Sequence, residues 1–280
     1  METGTLYRKS AFTTDPKGGN PAGVWIGETL PEPTEMQNIA AEVGFSETAF
    51  VAPKSGKSRK IRFFSPEIEV PFCGHATIAT AVTLAELDGE GTFELSTQIG
   101  QVPVTVRTVN GQAEAALTSV SPKYKTADDE LVSEVLSILG WQHSDLEDRI
   151  PPAVAYAGAW HLVIALNKAT TLAYLSYDFN DLKAVMIREE LTTLQLVYQE
   201  NETTFVSRNP FPVGGVVEDP ATGAAAAAFA GYLREASLIT VPAELIIRQG
   251  EAMGRPSLLN VTVPETGGII VKGNAVTIPD

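Results

Sequence analysis

The run Ile78-Ala79-Thr80-Ala81-Val82-Thr83-Leu84-Ala85-Glu86 has no sustained polar face, so it reads as a helix buried on all sides. Other elements must wrap such a helix completely. Its start cannot be left bare either. The first backbone N–H groups of a helix have no partner within it, and the helix dipole leaves that end partly positive. Just ahead lies Ser65-Pro66-Glu67-Ile68-Glu69-Val70-Pro71-Phe72-Cys73-Gly74-His75-Ala76-Thr77, where polar and flexible residues crowd into a turn. Glycine lets a ligand approach the backbone there, and the helix start favours an anion such as a carboxylate. The construction recurs at Glu218-Asp219-Pro220-Ala221-Thr222-Gly223, followed by Ala224 to Ala228, Phe229, Ala230, Gly231, Tyr232 and Leu233.

The rest of the chain arranges itself around these two stretches. Leu6 to Thr13 and Gly23 to Ile26 read as strands, separated by a turn over Gly18-Gly19-Asn20-Pro21-Ala22-Gly23. Pro33 to Val43 carries Met36, Ile39, Ala40 and Val43 at helical spacing, with Thr34 as its cap and Gly44 as its left-handed stop. The stretch Phe45 to Val51 holds a lone acid at the entrance to a strand, and Arg59 to Ser65 is another strand. After the first buried helix come strands at Thr92 to Ser96, Val102 to Thr108 and Gln112 to Thr118, the last two joined by the hairpin signal Asn110-Gly111. Beyond Ser119-Val120-Ser121-Pro122 the pattern gives a helix at Asp128 to Leu139, closed by Gly140, and a polar link from Gln142 to Pro152. Strands are expected at Val154 to Ala157 and His161 to Leu166, a helix at Asp181 to Glu190, and strands at Leu194 to Gln199 and Thr203 to Arg208. After the alanine helix, four short strands fall near 243–248, 257–263, 268–272 and 274–278.

Both halves thus run in the same order: strands, a helix, strands, a glycine turn, a buried helix, strands. This predicts an α+β protein of two similar lobes, each a barrel-like, mostly antiparallel sheet around a central helix, facing each other across a cleft. Residues 1–118 with 265–280 make the expected N-terminal lobe and 119–264 the C-terminal lobe.

Composition removes several function classes. A formal net charge of −14 over 280 residues disfavours nucleic acid or an anionic membrane surface as partner. The run from Ala224 to Leu233 is too short to span a bilayer, and Met1 to Lys17 lacks the apolar core of a signal peptide, so a cytoplasmic location is expected. The single cysteine, Cys73, excludes an intramolecular disulfide. His75, His143 and His161 have no metal-site spacing with each other or with Cys73, and no metal is expected.

Glu47, in Gly44-Phe45-Ser46-Glu47-Thr48-Ala49-Phe50-Val51, is a lone acid among apolar neighbours. Buried there, it becomes a better base near neutral pH; exposed on the other strand face, it is an ordinary surface acid. His75 falls in the first turn of its helix, where a neutral imidazole can donate a hydrogen bond or relay a proton, or merely pack. Cys73 invites a nucleophile role with His75 two residues on, but a free cysteine is also an ordinary buried hydrophobe. Asp219 before Pro220 reads either as a plain helix cap or as an acid partner to Glu47. Arg62, Arg208 and Arg255 are carboxylate-binding candidates or ordinary strand and surface arginines.

Taken together, Gly19-Asn20-Pro21-Ala22-Gly23-Val24, Gly44-Phe45-Ser46-Glu47-Thr48-Ala49-Phe50, Cys73-Gly74-His75-Ala76-Thr77 and Glu218-Asp219-Pro220-Ala221-Thr222-Gly223 resemble the phenazine-biosynthesis isomerase-like (PhzF-like) family. Gln249-Gly250 and Met253-Gly254-Arg255-Pro256-Ser257 resemble its C-terminal pattern. The resemblance implies the diaminopimelate-epimerase fold and a homodimeric isomerase that needs no cofactor and moves a proton at carbon in a small carboxylate substrate. It implies Glu47 as the acid/base, His75 and Asp219 as its assistants, and Gly74, Gly223 and Asn20 as substrate-binding positions. Two departures stand out. The related amino-acid epimerases use two opposed cysteines, and only Cys73 is present here. The phenazine enzyme has a serine where this chain has Ala224, which removes one hydroxyl contact and disfavours the phenazine precursor as substrate. The alternative is a binding or interaction protein that keeps the fold without catalysis; a cysteine hydrolase is a third option.

Overall fold

The computed structural model describes residues 4–279. Residues 1–3 and 280, which the expected lobe boundaries and the reading of the N-terminus included, lie outside the described residues. The chain forms two units. The first is made of the described parts of Met1–Thr118 and Lys272–Asp280, and the second is Ser119–Val271. The chain therefore returns to the first unit at Lys272 rather than at 265.

In the first unit the strands are β1 (Gly4–Ala11), β2 (Asn20–Gly27), β3 (Glu47–Ser55), β4 (Ser58–Phe64), the two-residue β5 (Glu69–Val70), β6 (Gly91–Thr97), β7 (Gly100–Val109) and β8 (Gln112–Thr118). The helices are α1 (Pro33–Val43) and α2 (Gly74–Asp88). β1 is antiparallel to β2, β2 parallel to β3, β3 antiparallel to β4, β4 parallel to β6, and β6, β7 and β8 follow antiparallel. The chain's final strand, β17 (Ile270–Thr277), pairs with both β8 and β1 and closes the ring at eight strands. Each parallel pair needs a crossover; α1 supplies the first and α2 the second.

α2 packs against β1, β2, β3, β7 and β8, strands drawn from around the ring, so it fills the barrel. His75 through Leu84 are all buried, as the missing polar face requires. Thr77 and Thr83 are tolerated there because they return their hydroxyls to the helix backbone, Thr77 to the Cys73 carbonyl at 2.6 Å and Thr83 to the Ala79 carbonyl at 2.8 Å. α1 lies outside the barrel, where Met36 and Ala40 cover Trp25, Phe50 and Phe64.

The second unit contains β9 (Lys123–Thr126), β10 (Ala153–Tyr156), β11 (Trp160–Leu166), β12 (Thr193–Gln199), β13 (Thr204–Phe211), β14 (Val216–Asp219), β15 (Ala243–Gln249) and β16 (Ser257–Val263). Its helices are α3 (Asp129–Leu139), α4 (Ala169–Ala173), α5 (Phe179–Arg188) and α6 (Gly223–Glu235). β10 is antiparallel to β11, β11 parallel to β12, β12 antiparallel to β13, β13 parallel to β15, and β15 antiparallel to β16. That sequence of pairings repeats β1-β2-β3-β4-β6-β7 step for step. The short strands match as well: β5 and β14 each pair antiparallel with the preceding long strand, and each ends four residues before a buried helix. α6 packs on β9, β10, β11, β12 and β16, and α3 and α5 cover the outer face of β11 and β12 through Leu136, Leu182, Ile164 and Leu194.

Several local expectations change. Thr34 is not the cap of α1: Pro33 already occupies the first helical turn, where its missing N–H is harmless, and Glu32 holds the cap position. Asn20 to Ala22 belong to β2 rather than to a turn. The two expected strands near 268–272 and 274–278 are one, because Gly273 is there for space, not for a turn. A Cβ on it would stand 2.3 Å from Cδ1 of Phe12. β9, β14 and α4 carried no readable pattern; β9 is exposed along its whole length.

Candidate active site

Gly44 ends α1 in the left-handed conformation (φ 68°) and the chain enters β3 at Glu47. The pleat puts Glu47, Ala49 and Val51 on one face, and Phe50 on the opposite face against α1. Ala49 and Val51 are fully buried against the barrel interior. Glu47 is therefore an inward-facing residue at the end of its strand, its side chain 16% exposed. Ala22 is its register partner on β2. Asn20, two residues earlier on the same face and 1% exposed, lies at the same end of the barrel.

That end is also where α2 begins. His75, the second residue of α2, has Nε2 3.5 Å from Oε2 of Glu47 and 3.4 Å from Oγ of Ser46. Its Nδ1 is 3.3 Å from Sγ of Cys73. The geometry suits the neutral tautomer in which the thiol proton points to Nδ1 and Nε2–H faces Glu47. Sequence adjacency alone gave no reason to pair Cys73 with His75; folding does pair them. Cys73 is 8% exposed and occupies the cap position without capping, and no acid stands in the first turn of α2. Gly74 has no heavy atom within 4 Å of where a Cβ would stand and no positive φ. Neither packing nor backbone geometry demands glycine there.

Glu47, Cys73 and His75 also place one potential metal-donor atom each within 4.8 Å of one another, a cluster that residue spacing did not reveal. The contacts split between the two ring nitrogens, however, with sulfur at Nδ1 and carboxylate at Nε2. The imidazole bridges the other two groups instead of converging with them on one point.

The second unit builds its own helix start. Asp219 ends β14 opposite Asn209 and is 9% exposed. Pro220 is not the first helical residue. α6 starts at Gly223 with Thr222 at the cap position, which overturns the reading of Asp219 as a plain cap. The Thr222 hydroxyl donates to Oδ2 of Asp219 at 2.5 Å and accepts no capping bond from the helix N–H groups. By topology Glu47 corresponds to Thr193, each in the first register pair of its parallel ladder. Cys73 likewise corresponds to Thr222, and His75 to Ala224.

Of the candidate residues, the fold brings Glu47, His75 and Cys73 into contact and sets Asn20 at the same barrel end. Asp219 and Gly223 lie at the helix start of the other unit. Arg62 is engaged by Glu69 (2.6 and 2.5 Å), which holds the Glu69 carboxyl below its ordinary value through that hydrogen bond. Arg208 is engaged by Glu218 (3.0 and 2.5 Å). Ser46, Thr222 and Gln249 escaped the sequence reading as contributors. Ser46 carries a signal in hindsight, a hydroxyl beside the lone acid; Thr222 and Gln249 are far apart in sequence and carry none.

A family profile described as PhzC-PhzF, phenazine biosynthesis-like protein, matches residues 9–280. The uncharacterized isomerase YddE of Escherichia coli (strain K12) is 30% identical over 288 residues, covering 98% of this chain and 96% of its own length. The trans-2,3-dihydro-3-hydroxyanthranilate isomerase of Pseudomonas fluorescens is 30% identical over 273 residues, covering 95% and 94%. The crystal structure of the Bacillus anthracis phenazine biosynthesis protein of the PhzF family matches with TM-score 0.88 at 25% identity, over 100% of this chain and 98% of that one. At the level of fold alone, a hydroxyproline epimerase from Agrobacterium vitis matches with TM-score 0.68 at 12% identity, over 99% and 92%. Duplicated barrels each wound on a buried helix, a motif set running the length of the chain, and relatives named isomerases lead to one assignment: the chain belongs to the phenazine biosynthesis-like (PhzC-PhzF) family and is an isomerase with the diaminopimelate-epimerase-like fold.

Proposed function

We propose that the protein moves a proton between carbons of a small carboxylate substrate, with Glu47 as the general acid/base. The observation that carries this is the contact of a largely buried carboxylate with His75 Nε2, at the start of a buried helix whose cap residue, Cys73, makes no side-chain capping bond. Glu47 takes the proton from a carbon activated by a neighbouring carboxylate or conjugated system, the electron pair shifts into that system, and the proton returns at a second carbon. Atoms balance with no external reductant or oxidant. His75, through Nε2–H, steadies the Glu47 carboxylate before transfer. The N–H groups at Gly74 face where enolate-like charge develops, and preorganised donors of that kind are worth about 3 kcal/mol each.

Asp219 and Gly223 are assigned to the same substrate. Support for that comes from the duplication, because the second unit repeats the strand–turn–helix construction that presents Glu47 and His75. A homodimer is part of the same proposal. Ala224 argues for a substrate lacking the group a serine there would bind. The test is deuterium uptake from D2O at carbon, across a panel of small carboxylic acids that includes trans-2,3-dihydro-3-hydroxyanthranilate. Uptake by the wild-type protein and its loss in Glu47→Gln is the expected result; uptake undiminished in Glu47→Gln rejects Glu47 as the base.

A further inference from the structure

Gln249 ends β15 and is 1% exposed. Its amide is almost fully used on one short stretch of chain. Nε2 donates to the Asp219 carbonyl at 2.7 Å and to Oγ1 of Thr222 at 3.0 Å, and Oε1 accepts the Thr222 N–H at 3.1 Å. Thr222 in turn donates its hydroxyl to Oδ2 of Asp219. The direction of donation is fixed by this arrangement. Because the amide N–H occupies a lone pair of the Thr222 oxygen, the hydroxyl proton is free to point at the carboxylate.

Next to it, Gly250 is a position where only glycine fits: φ is +76°, and a Cβ would stand 2.3 Å from the Arg255 carbonyl oxygen and 2.7 Å from that of Pro220. The turn after β15 and the loop before α6 are therefore packed backbone to backbone. Gln249-Gly250 resembled the family's C-terminal pattern without a chemical role; here Gln249 reaches the Asp219 carboxylate through one intervening hydroxyl.

We infer that Gln249 is a positioning residue, acting through Thr222 to fix the rotamer and hydrogen bonding of the Asp219 carboxylate at the start of α6. The inference rests on the reading of Asp219 as a participant in the proton transfer. A single buried amide orients three groups at once: the residue 219 peptide, the residue 222 peptide and the hydroxyl between them. Gln249 touches no atom of the carboxylate, and its effect is indirect.

A substrate-free readout comes first. With aspartate carboxyl carbons 13C-labelled, the Asp219 resonance is identified by its absence in Asp219→Asn. Thr222→Val and Gln249→Met should both shift it, and Thr222→Ser, which keeps the hydroxyl, should return it toward the wild-type position. Kinetics then follow by deuterium uptake into a small carboxylic acid that the wild-type protein exchanges, drawn from the panel above. Gln249→Met and Thr222→Val should each lower kcat about tenfold or more with KM little changed, and the double variant should fall no further than the worse single, because both act through one hydroxyl. An unmoved Asp219 resonance in folded Gln249→Met overturns the proposal, as do additive losses or a Thr222→Ser protein as impaired as Thr222→Val. Should Gln249→Met fail to fold, the Thr222→Val and Thr222→Ser pair decides by the same resonance. Wild-type activity in Asp219→Asn rejects the role of Asp219 itself; a dead Asp219→Asn beside a fully active Gln249→Met rejects only the positioning by Gln249.

Discussion

Acid should loosen this protein through one histidine that takes no part in the proposed chemistry. His161 is 0% exposed on β11, with Nδ1 2.8 Å from Oγ1 of Thr193. Burial pushes its imidazole from 6.5 down to about 3, with a Thr193 hydrogen bond opposing. The folded value lies below the unfolded one. The unfolded chain therefore binds a proton that the native state refuses, and stability is whole above pH 6.5 and drains as pH falls toward 3. Each unit of pH well inside that window removes on the order of 1 kcal/mol, so the two units from 6.5 to 4.5 remove roughly 2 kcal/mol. The perturbation is His161→Gln, which keeps a polar partner for Thr193 but cannot be protonated. Urea unfolding, followed by the fluorescence of Trp141 and Trp160 in the same unit, gives stability at each pH. Other titrating groups affect both proteins alike, so the difference in pH slope isolates His161. Wild type should lose about 2 kcal/mol more than His161→Gln between pH 6.5 and 4.5. Equal slopes in the two proteins refute the argument.

Two further tests address the fold. Lys9, 1% exposed, donates to both oxygens of Glu86 (2.8 and 2.6 Å) and to Thr277 Oγ1 (3.0 Å), tying β1 to the far end of α2 and to β17. Glu86→Gln leaves a buried ammonium without its counter-charge and should destabilise the protein by about 2 kcal/mol in urea titration, more than Lys9→Met, which removes the charge together with the need for a partner. Gly231→Ala should cost about 1–3 kcal/mol in the same titration, because the new Cβ would lie 2.3 Å from Cβ of Pro122, ahead of β9.

The two buried helices were the most legible part of the sequence. A run with no polar face admits one environment, and His75 to Leu84 and Ala225 to Leu233 are indeed buried throughout. Gly44 and Gly140 likewise announced helix ends, since both adopt φ near 68°. The hairpin at Asn110-Gly111 was equally clear, with both residues at positive φ. Less legible were features decided by something distant in sequence. Gly273 looked like a turn because its reason, the ring of Phe12, is brought beside it only by folding. β9 and β14 are short strands recruited by their neighbours, without an alternating pattern of their own. In the site, Glu47 and His75 could be nominated from residue type and local setting. The ordering of Asp219 through Thr222 and Gln249 could not, because it depends on a strand that ends 27 residues after Thr222.

Glu47 as the proton-transferring base is most directly tested by isotope exchange resolved by position. Incubating the wild-type protein in D2O with a turned-over small carboxylic acid should place deuterium at the carbon that gains the proton, seen by NMR or mass spectrometry. Glu47→Gln, folded and still binding that acid, should exchange at least ~100-fold more slowly, as expected for loss of a general base. Exchange at the wild-type rate in folded Glu47→Gln contradicts the account.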